Sequence, residues 1–510
     1  MPRYAAVDIG SNSVRMQAAE VVPGRPMAIL AADRQVTRLG ESVFRTGRAS
    51  VEAMDFLCEH LARMAQIYRK LDVAGVRAVA TSAVRDASNQ HELIQRASGA
   101  LGSPVEIISG QEEARLVHLG VQARWPHPKS CILIIDVGGG SAEVILSESG
   151  RVAEALSKPL GAVRLTESFL KSDPPSEVEL RRLDEYIHEK IAATIGRMRL
   201  QKVDRVIATS ATAAAVMCAI NRVHRAHRET AERLRATTAQ VRGFYGQISR
   251  MGVAARRKVN GIGPRRAEII VAGAAVFLRI LEHLRLPSMY YSLAGVRDGL
   301  IADLDARGVG RELSRLNRDQ RRICEQMARR YAVSLAHVRK VAQLAQALFD
   351  SLQPVHQLPP FYGKMLEAAA YLHDLGHYVS DTGHHKHSHY LVANSDMPGF
   401  TDTERAVIAM LCRYHRKSLP AARQDEFNNM DADARQSILR LVPLLRLADG
   451  LDRGHEQYVD EIECAVRNSQ VVVEIQSGHD ADLEAWAAER AGEVFRQVYG
   501  RQLAIVRAKK

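Results

Sequence analysis

One local pattern occurs twice in this chain and limits what it can fold into. Cys131-Ile-Leu-Ile-Ile-Asp136-Val-Gly138-Gly139-Gly140-Ser141-Ala-Glu143-Val-Ile-Leu146 reads as a strand, a tight glycine turn and a second strand. Near the N-terminus, Ala5-Ala-Val-Asp8-Ile-Gly10-Ser11-Asn12-Ser13-Val14 has the same form. Adding 128 to Asp8, Gly10 and Ser13 gives Asp136, Gly138 and Ser141. A repeat of this kind predicts an internal duplication, with two like lobes and a ligand cleft where they face each other. Glycines at 138–140 let the backbone take positive φ and bring peptide N–H groups onto an anion. Asp136 and Glu143, on either side of that turn, offer hard oxygens suited to Mg²⁺ held against phosphate.

At 510 residues the chain exceeds one hydrophobic core, and three or four domains are expected. A net charge of +12 has two readings, an anionic partner or a solvated surface excess. Glu268 and Arg279 bound the most apolar helix candidate, so no membrane span is expected. The first strand carries Asp8, so no signal peptide is visible. Six cysteines without a CxxC pair fit reduced, buried thiols and a cytoplasmic setting.

Along the chain, Val51 to Leu71 has helical apolar spacing, and Val76 to Ala80 reads as a strand leading to Thr81-Ser82-Ala-Val-Arg85. Arg85 suits a phosphate oxygen, or is a surface arginine after a helix cap. Val105 to Leu116 runs from strand into helix. Ser109 and Glu112 there form a capping box, which leaves Glu113 either to complement the helix dipole or to act as a general base. Val152 to Leu200 reads as a linker and then a charged helix. Val203 to Ala208 is a strand with Thr209 to Thr212 as its turn, and Asn221 to Val253 is basic and helical. Beyond about Gly308 the alternation of strands and helices ends, which places a domain boundary near 306–311. The helical region that follows carries His337, His373-Asp374 and Asp449, with His385, His387 and His415 between them. This is either a set of structural histidines or a site for one or two divalent metals. Strands at 462–466 and 471–475 and a helix near Leu483 to Phe495 end the chain.

Val7 to Ser13, Ile107 to Arg115 and Ile135 to Glu143 resemble the exopolyphosphatase and guanosine pentaphosphate phosphatase family. So do Arg266-Ala-Glu268, Gly295 to Gly299, His385 to Ser388 and Arg413 to Lys417. The resemblance implies an α/β fold of two ribonuclease H-like lobes of the actin, sugar-kinase and heat-shock ATPase superfamily (1–121 and 122–306). An all-α HD-like domain (311–457) and a small α+β module (458–510) would follow. It also implies Mg²⁺-dependent release of terminal orthophosphate from polyphosphate, or of the 5′-phosphate of guanosine pentaphosphate, by a homodimer, with no specific nucleic acid and no membrane as partner. Glu113 would be the general base and Asp136 and Glu143 the metal site. Ser11, Asn12, Ser13, Arg85 and Gly138, Gly139, Gly140 and Ser141 would form the phosphate cradle. His337, His373, Asp374 and Asp449 are all present for a second metal, so a second metal phosphohydrolase activity in the HD-like domain is an alternative, as is a non-catalytic sensor of polyphosphate or alarmone. Arg413, Arg416 and Lys417 would hold a polyanion by counterion release. Ala208 and Ala211 stand where relatives carry glycine; if positive φ is required there, each costs about 1–2 kcal/mol and the turn changes shape, which favours polyphosphate over the nucleotide.

Overall fold

The computed structural model describes residues 1–22, 24–195, 203–308, 314–420, 425–467 and 469–508. The chain forms two compact units, Met1–Gly310 and Arg311–Lys510. The expected boundary at 306–311 and the end of the charged helix toward Leu200 fall partly outside the described residues.

The first unit is built on two mixed sheets of the same design. In one, β1 (Arg3–Ile9), β2 (Val14–Glu20), β3 (Ala28–Gln35), β4 (Gly75–Ala80) and β5 (Val105–Ile107) lie in the order β3-β2-β1-β4-β5. In the other, β6 (Cys131–Val137), β7 (Ala142–Glu148), β8 (Arg151–Lys158), β9 (Arg205–Thr209), β10 (Arg235–Thr237) and β11 (Ser288–Tyr291) lie in the order β10-β11-β9-β6-β7-β8. In both, a three-strand antiparallel meander pairs its first strand in parallel with the next strand in the chain. The two hairpins close alike, with Gly10 N–H on Ser13 O at 3.2 Å and Gly138 N–H on Ser141 O at 3.0 Å. The duplication read from the sequence is therefore a duplication of lobes, and mixed α/β sheets with helices fit the actin-like pair. Central strands are buried along nearly their whole length because helices cover both faces, whereas β3 at the sheet edge alternates between exposed and half-buried residues.

The expected division at 121/122 and 306 does not follow the packing, because the lobes exchange helices. The Gly110–Arg124 helix places Ala114, Val117 and Val121 against Ile132, Ile134, Ile145 and Ile207 of the second sheet. The Val296–Ala306 helix returns Leu300, Ile301 and Leu304 to Tyr4, Ala6 and Val79 of the first. The two helices cross at glycines: a Cβ on Gly299 would stand 1.8 Å from Leu116 O, and one on Gly120 would stand 2.4 Å from Gly295 O. Intrinsic propensity favours alanine over glycine in a helix by about 1 kcal/mol. Gly299→Ala is nevertheless expected to destabilise the unit by about 1–3 kcal/mol or more, because the clash is with backbone. A thermal melt checks this, and an unchanged or raised Tm would contradict the crossing.

The crossing is also held by charge. Glu112 is not the reciprocal partner of a capping box: Ser109 Oγ accepts from Glu112 N–H, but the Glu112 carboxylate turns inward to Arg115 (2.7 and 2.9 Å) and Arg77 (3.0 Å). Asp303 completes the set, accepting from Arg77 and Arg115 at 2.7 Å each and from Arg307. Buried ions persist only when each is paired, and this set joins β4 to both exchanged helices.

Two other expectations change. The stretch read as a linker after Val152 contains β8 and the Ala162–Phe169 helix, and the basic stretch 221–253 contains a 3₁₀ turn at Arg225–Ala231, β10 and the Thr238–Ser249 helix. No helix among the described residues is long and apolar enough to cross a membrane.

The second unit packs the helices Arg318–Arg330, Leu335–Ser351, Tyr362–Leu372, His384–Ala393, Asp402–Tyr414 and Ala432–Gly450 around one core. A sheet of β12 (Glu461–Arg467), β13 (Gln470–Gln476) and β14 (Gln502–Arg507), in that order, follows. Val471, Val473, Ile475 and Phe495 belong to the same core as the helices, so the terminal segment has no separate interior.

Candidate active site

Ser109 is the N-cap of the Gly110–Arg124 helix, and this fixes Glu113 in its first turn. Glu113 is buried and lines a cavity of about 510 Å³ with Asp8, Asp136 and both hairpin turns. Its Oε2 has no hydrogen-bond partner among the described residues. Burial, then the charge of Glu143, pushes its carboxyl well above the usual range, against the pull of Arg85. A general base for water at neutral pH requires a raised, unengaged carboxylate of this kind.

The sheet registers lay out the charges on the two sides. In the second lobe Asp136 pairs with Glu143 and Glu143 with Ser157 across β6-β7-β8; in the first, Asp8 pairs with Arg15 and Arg15 with Arg34 across β1-β2-β3. The same row of the duplicated hairpin is thus acidic in one lobe and basic in the other. Burial raises Asp136 to about 7 and, with Asp136 as neighbour, Glu143 to about 8. Glu143 accepts a hydrogen bond from Ser157 Oγ at 2.8 Å and is absent from the cavity lining. Asp8 is raised as well, by burial. Buried oxygens that resist ionising in one another's presence suit a hard divalent cation, so Asp136, Glu143 and Asp8 fit Mg²⁺. They do not by themselves converge as a closed ligand set: among the described residues, groups of three ligand atoms within 4.8 Å occur in the helical unit.

The basic row had no counterpart among the expected site residues. Arg15, Arg34, Arg266 and Arg297 all line the cavity, and none has a carboxylate within 4.0 Å among the described residues. Burial and mutual repulsion lower Arg34 to about 9; burial and Arg15 lower Arg266 and Arg297 to about 10. Unpaired arginines held against their own repulsion form an anion site.

The glycines of the second turn serve close approach, because none of Gly138, Gly139 and Gly140 has positive φ. A Cβ on Gly140 would meet Ser82 Oγ at 2.5 Å and Phe44 at 2.6 Å, and one on Gly139 would meet Ser11 at 3.0 Å. The N–H groups of Ser11, Asn12, Gly139 and Gly140 donate to no protein acceptor among the described residues, and Ser13 and Ser141 complete this part of the lining. Arg85 departs from its expected place in the cradle. It is absent from the cavity lining, donates to Ile108 O at 2.5 Å and stands 3.9 Å from Glu113 Oε2, because its short helix aims it at the start of the Glu113 helix. Arg164 clamps the turn instead, donating to Gly140 O (2.7 Å) and Ser82 Oγ (2.9 Å) and pairing with Asp86. Ala208 and Ala211 are unstrained; the positive φ of that turn, 96°, falls on Ser210. A neighbouring cavity of about 650 Å³ shares Asn12, Arg34, Ala211, Ala214, Arg228 and Arg266 with the first, and Ala214, Ala215 and Cys218 give it an apolar wall.

In the helical unit, His337, His373, Asp374 and Asp449 do come together. His377, His384 and His415 also come within 4.0 Å of Asp374, whereas His385 and His387, the other two histidines noted between them in the sequence, pair with none of these carboxylates among the described residues. Arg416 lines the cavity beside this cluster, and Arg416 and Lys417 are exposed.

Residues 17–307 match the model of the Ppx/GppA phosphatase family, and residues 320–486 match that of Ppx/GppA phosphatase, domain III. Among solved structures, the Aquifex aeolicus PPX-GPPA enzyme is similar at 29% identity, with a TM-score of 0.52, over 59% of this chain and 99% of that one. An exopolyphosphatase-like protein is similar at 27% identity and a TM-score of 0.56, over 59% and 97%. An exopolyphosphatase from Cytophaga hutchinsonii shares the fold at 24% identity and a TM-score of 0.54, over 59% and 98%.

Proposed function

The chain belongs to the Ppx/GppA phosphatase family, and from that premise we propose that it is an exopolyphosphatase releasing terminal orthophosphate from inorganic polyphosphate with Mg²⁺. The observation that carries this reading is that Arg15, Arg34, Arg266 and Arg297, none ion-paired among the described residues, line one cavity with Asp8, Asp136 and Glu113, whose Oε2 has no hydrogen-bond partner there. A polyphosphate chain presents roughly one negative charge per residue, by analogy with a nucleic-acid backbone. Arg15, Arg34, Arg266 and Arg297 bind it, and the N–H groups of the two turns receive the terminal phosphoryl oxygens. Asp136 and Glu143, with Asp8, would hold Mg²⁺, which supplies charge neutralisation to the phosphoryl group when bound. Glu113 orients water and takes its proton as the phosphoanhydride bond breaks in line.

Hydrolysis of guanosine pentaphosphate at the same site is the second reading, and the adjoining cavity favours it. Its apolar wall and its volume of about 650 Å³ suit a nucleoside beside the phosphate site. The alanines at 208 and 211 no longer count against it, since neither is strained. Orthophosphate release from long polyphosphate and from guanosine pentaphosphate, measured side by side, separates the two. Faster turnover of polyphosphate supports the first reading, and faster turnover of the nucleotide replaces it with the second.

The arginine row supplies a further prediction. Arg34→Ala and Arg297→Ala are each expected to weaken polyphosphate binding and to lower the slope of log affinity against log salt by about one. Each is also expected to raise the Tm of the anion-free protein, because a charge repelled by its arginine neighbours is removed. Binding titrations over a salt series and thermal melts check both, and an unchanged slope would place these arginines outside the polyanion track.

A further inference from the structure

The glycine turn at 138–140 is held from behind by the Ala162–Phe169 helix, which starts directly against it. A Cβ on Gly161 would stand 2.3 Å from Gly139 C and from Gly140 N, so only glycine lets the helix begin this close. At that approach the first N–H groups of the helix reach the turn. Ala162 N–H donates to Gly138 O at 3.0 Å, and the N–H groups of Val163 and Arg164 donate to Gly139 O at 2.8 and 3.1 Å. Gly140 O is served by a side chain instead, Arg164 Nε at 2.7 Å. All three carbonyls therefore face one helix. In a planar trans peptide the N–H of the next residue points away from the carbonyl, and these peptides are trans. The N–H groups of Gly139, Gly140 and Ser141 thus face the other way, and they donate to no protein acceptor among the described residues. The same residues line the cavity that contains Glu113.

Arg164 takes its anchors from the other lobe. Its Nη2 donates to Ser82 Oγ at 2.9 Å and pairs with Asp86, the two ends of the short Ser82–Asp86 helix. Its guanidinium carbon lies 4.1 Å from the centre of the Phe44 ring, on the Leu39–Thr46 helix. Phe44, Ser82 and Asp86 belong to the first lobe, Gly140 and Arg164 to the second. Arginine suits the place because its fork is planar and rigid: Nε serves the turn, Nη2 serves the first lobe, and the flat face rests on the ring. A lysine ammonium is a point charge and cannot span these partners.

A guanidinium on Gly140 O polarises the peptide and makes Ser141 N–H a stronger donor to an anion. It also fixes the plane of that peptide, so the N–H is aimed before a phosphoryl group arrives and need not reorganise as the bond breaks. Both effects depend on where the guanidinium is held. An arginine without anchors samples several rotamers, and that entropy opposes the bond to Gly140. Asp86, Ser82 and Phe44 remove the freedom only while the two lobes meet at this point.

We propose that Arg164 is a positioning residue of the phosphoryl site. Anchored on the first lobe by Asp86, Ser82 and Phe44, it holds the Gly140 carbonyl so that Ser141 N–H, beside those of Gly139 and Gly140, meets an oxygen of the phosphoryl group in transit. Contact between the lobes and completion of this N–H row are then one event. The role rests on the reading of the cleft as a phosphohydrolase site, and it is the same for polyphosphate and for guanosine pentaphosphate, because both present a terminal phosphoryl group.

The test uses the full chain with Mg²⁺. Arg164→Ala is expected to lower kcat for orthophosphate release by about 10–10²-fold, in the range for loss of an aimed donor, while Kd for long polyphosphate stays within about twofold. Orthovanadate, which takes the five-coordinate geometry of phosphoryl transfer, is expected to bind Arg164→Ala about tenfold more weakly by calorimetric titration. Methylguanidinium is expected to restore kcat to Arg164→Ala, and methylammonium at the same ionic strength is not. Asp86, whose side chain is 40% exposed, carries the test should Arg164→Ala not fold. Asp86→Asn is expected to lower kcat severalfold in the wild-type chain and to have no further effect in Arg164→Ala. Wild-type kcat in either single variant, polyphosphate affinity lost in step with kcat, or equal rescue by the two cations overturns the positioning role and leaves the reading of the cleft standing. A wild-type chain that releases no orthophosphate from either substrate overturns that reading, and the orthovanadate titration then decides the proposal: weaker binding in Arg164→Ala supports it, and equal binding or none in the wild type overturns it.

Discussion

Glu113→Gln is expected to lower orthophosphate release from polyphosphate by about 10²–10⁴-fold, the usual contribution of a positioned general base. The amide keeps the size of the side chain and cannot take a proton from water. Binding should survive, because the proposed polyanion contacts are arginines and backbone N–H groups that the substitution does not touch. The folded protein should become slightly more stable without ligand, since one of several crowded buried carboxylates is neutralised. Turnover and polyphosphate affinity measured together check this. Retained turnover, or affinity lost in parallel with it, would remove Glu113 from proton transfer.

The second large effect concerns pH. Asp136 is raised to about 7 and Glu143 to about 8 in the folded protein, from ordinary values near 4 when unfolded. Between those limits the native state binds more protons than the unfolded one, so the contribution of these groups to stability falls as pH rises from about 4 through 8. A tenfold change in proton affinity corresponds to about 1.4 kcal/mol, which makes the loss several kcal/mol. Metal-free protein is therefore expected to melt lower at pH 8 than at pH 5.5. Glu143→Gln should flatten that dependence and raise the Tm at pH 8. Mg²⁺ should stabilise the wild type more at pH 8 than at pH 5.5, because it binds the ionised carboxylates, and should stabilise the variant less at either pH. Thermal melts at the two pH values with and without Mg²⁺ check the set. A wild-type Tm that rises toward pH 8 without Mg²⁺ would contradict the crowding of buried carboxylates.

The parts of this site that were legible in the sequence are those set by short-range pattern. Each copy of the repeated hairpin, the aspartate near the end of its first strand, and Ser109 opening a helix with Glu113 in its first turn is a pattern that spans only a few residues. What the sequence hid arises from pairings across long separations. Arg34 reaches Arg15 only through the β2-β3 register, which a bulge at Ala18/Ala19 shifts, so its place in the cleft was not readable from periodicity. Glu112 reads as a capping residue because Ser109 is three positions away, whereas its actual partners include Arg77 on another strand and Arg115, which is itself bound to Asp303. The turn glycines were legible as glycines but not for their reason: the tight contact is with Ser11, Phe44 and Ser82 of the other lobe, and backbone freedom is not used. In the helical unit a one-residue step separates two neighbouring histidines, since consecutive helix positions point about 100° apart and His384 rather than His385 comes within 4.0 Å of Asp374.

The proposed activity is the removal of terminal phosphoryl groups from a polyanion, with Mg²⁺, in the cleft between the duplicated lobes. Orthophosphate released by the full chain from long-chain polyphosphate, with Mg²⁺ and again after chelation, measures this most directly. Steady release that stops on chelation and returns when Mg²⁺ is restored is the expected result; tight polyphosphate binding with no release at any Mg²⁺ concentration would contradict it.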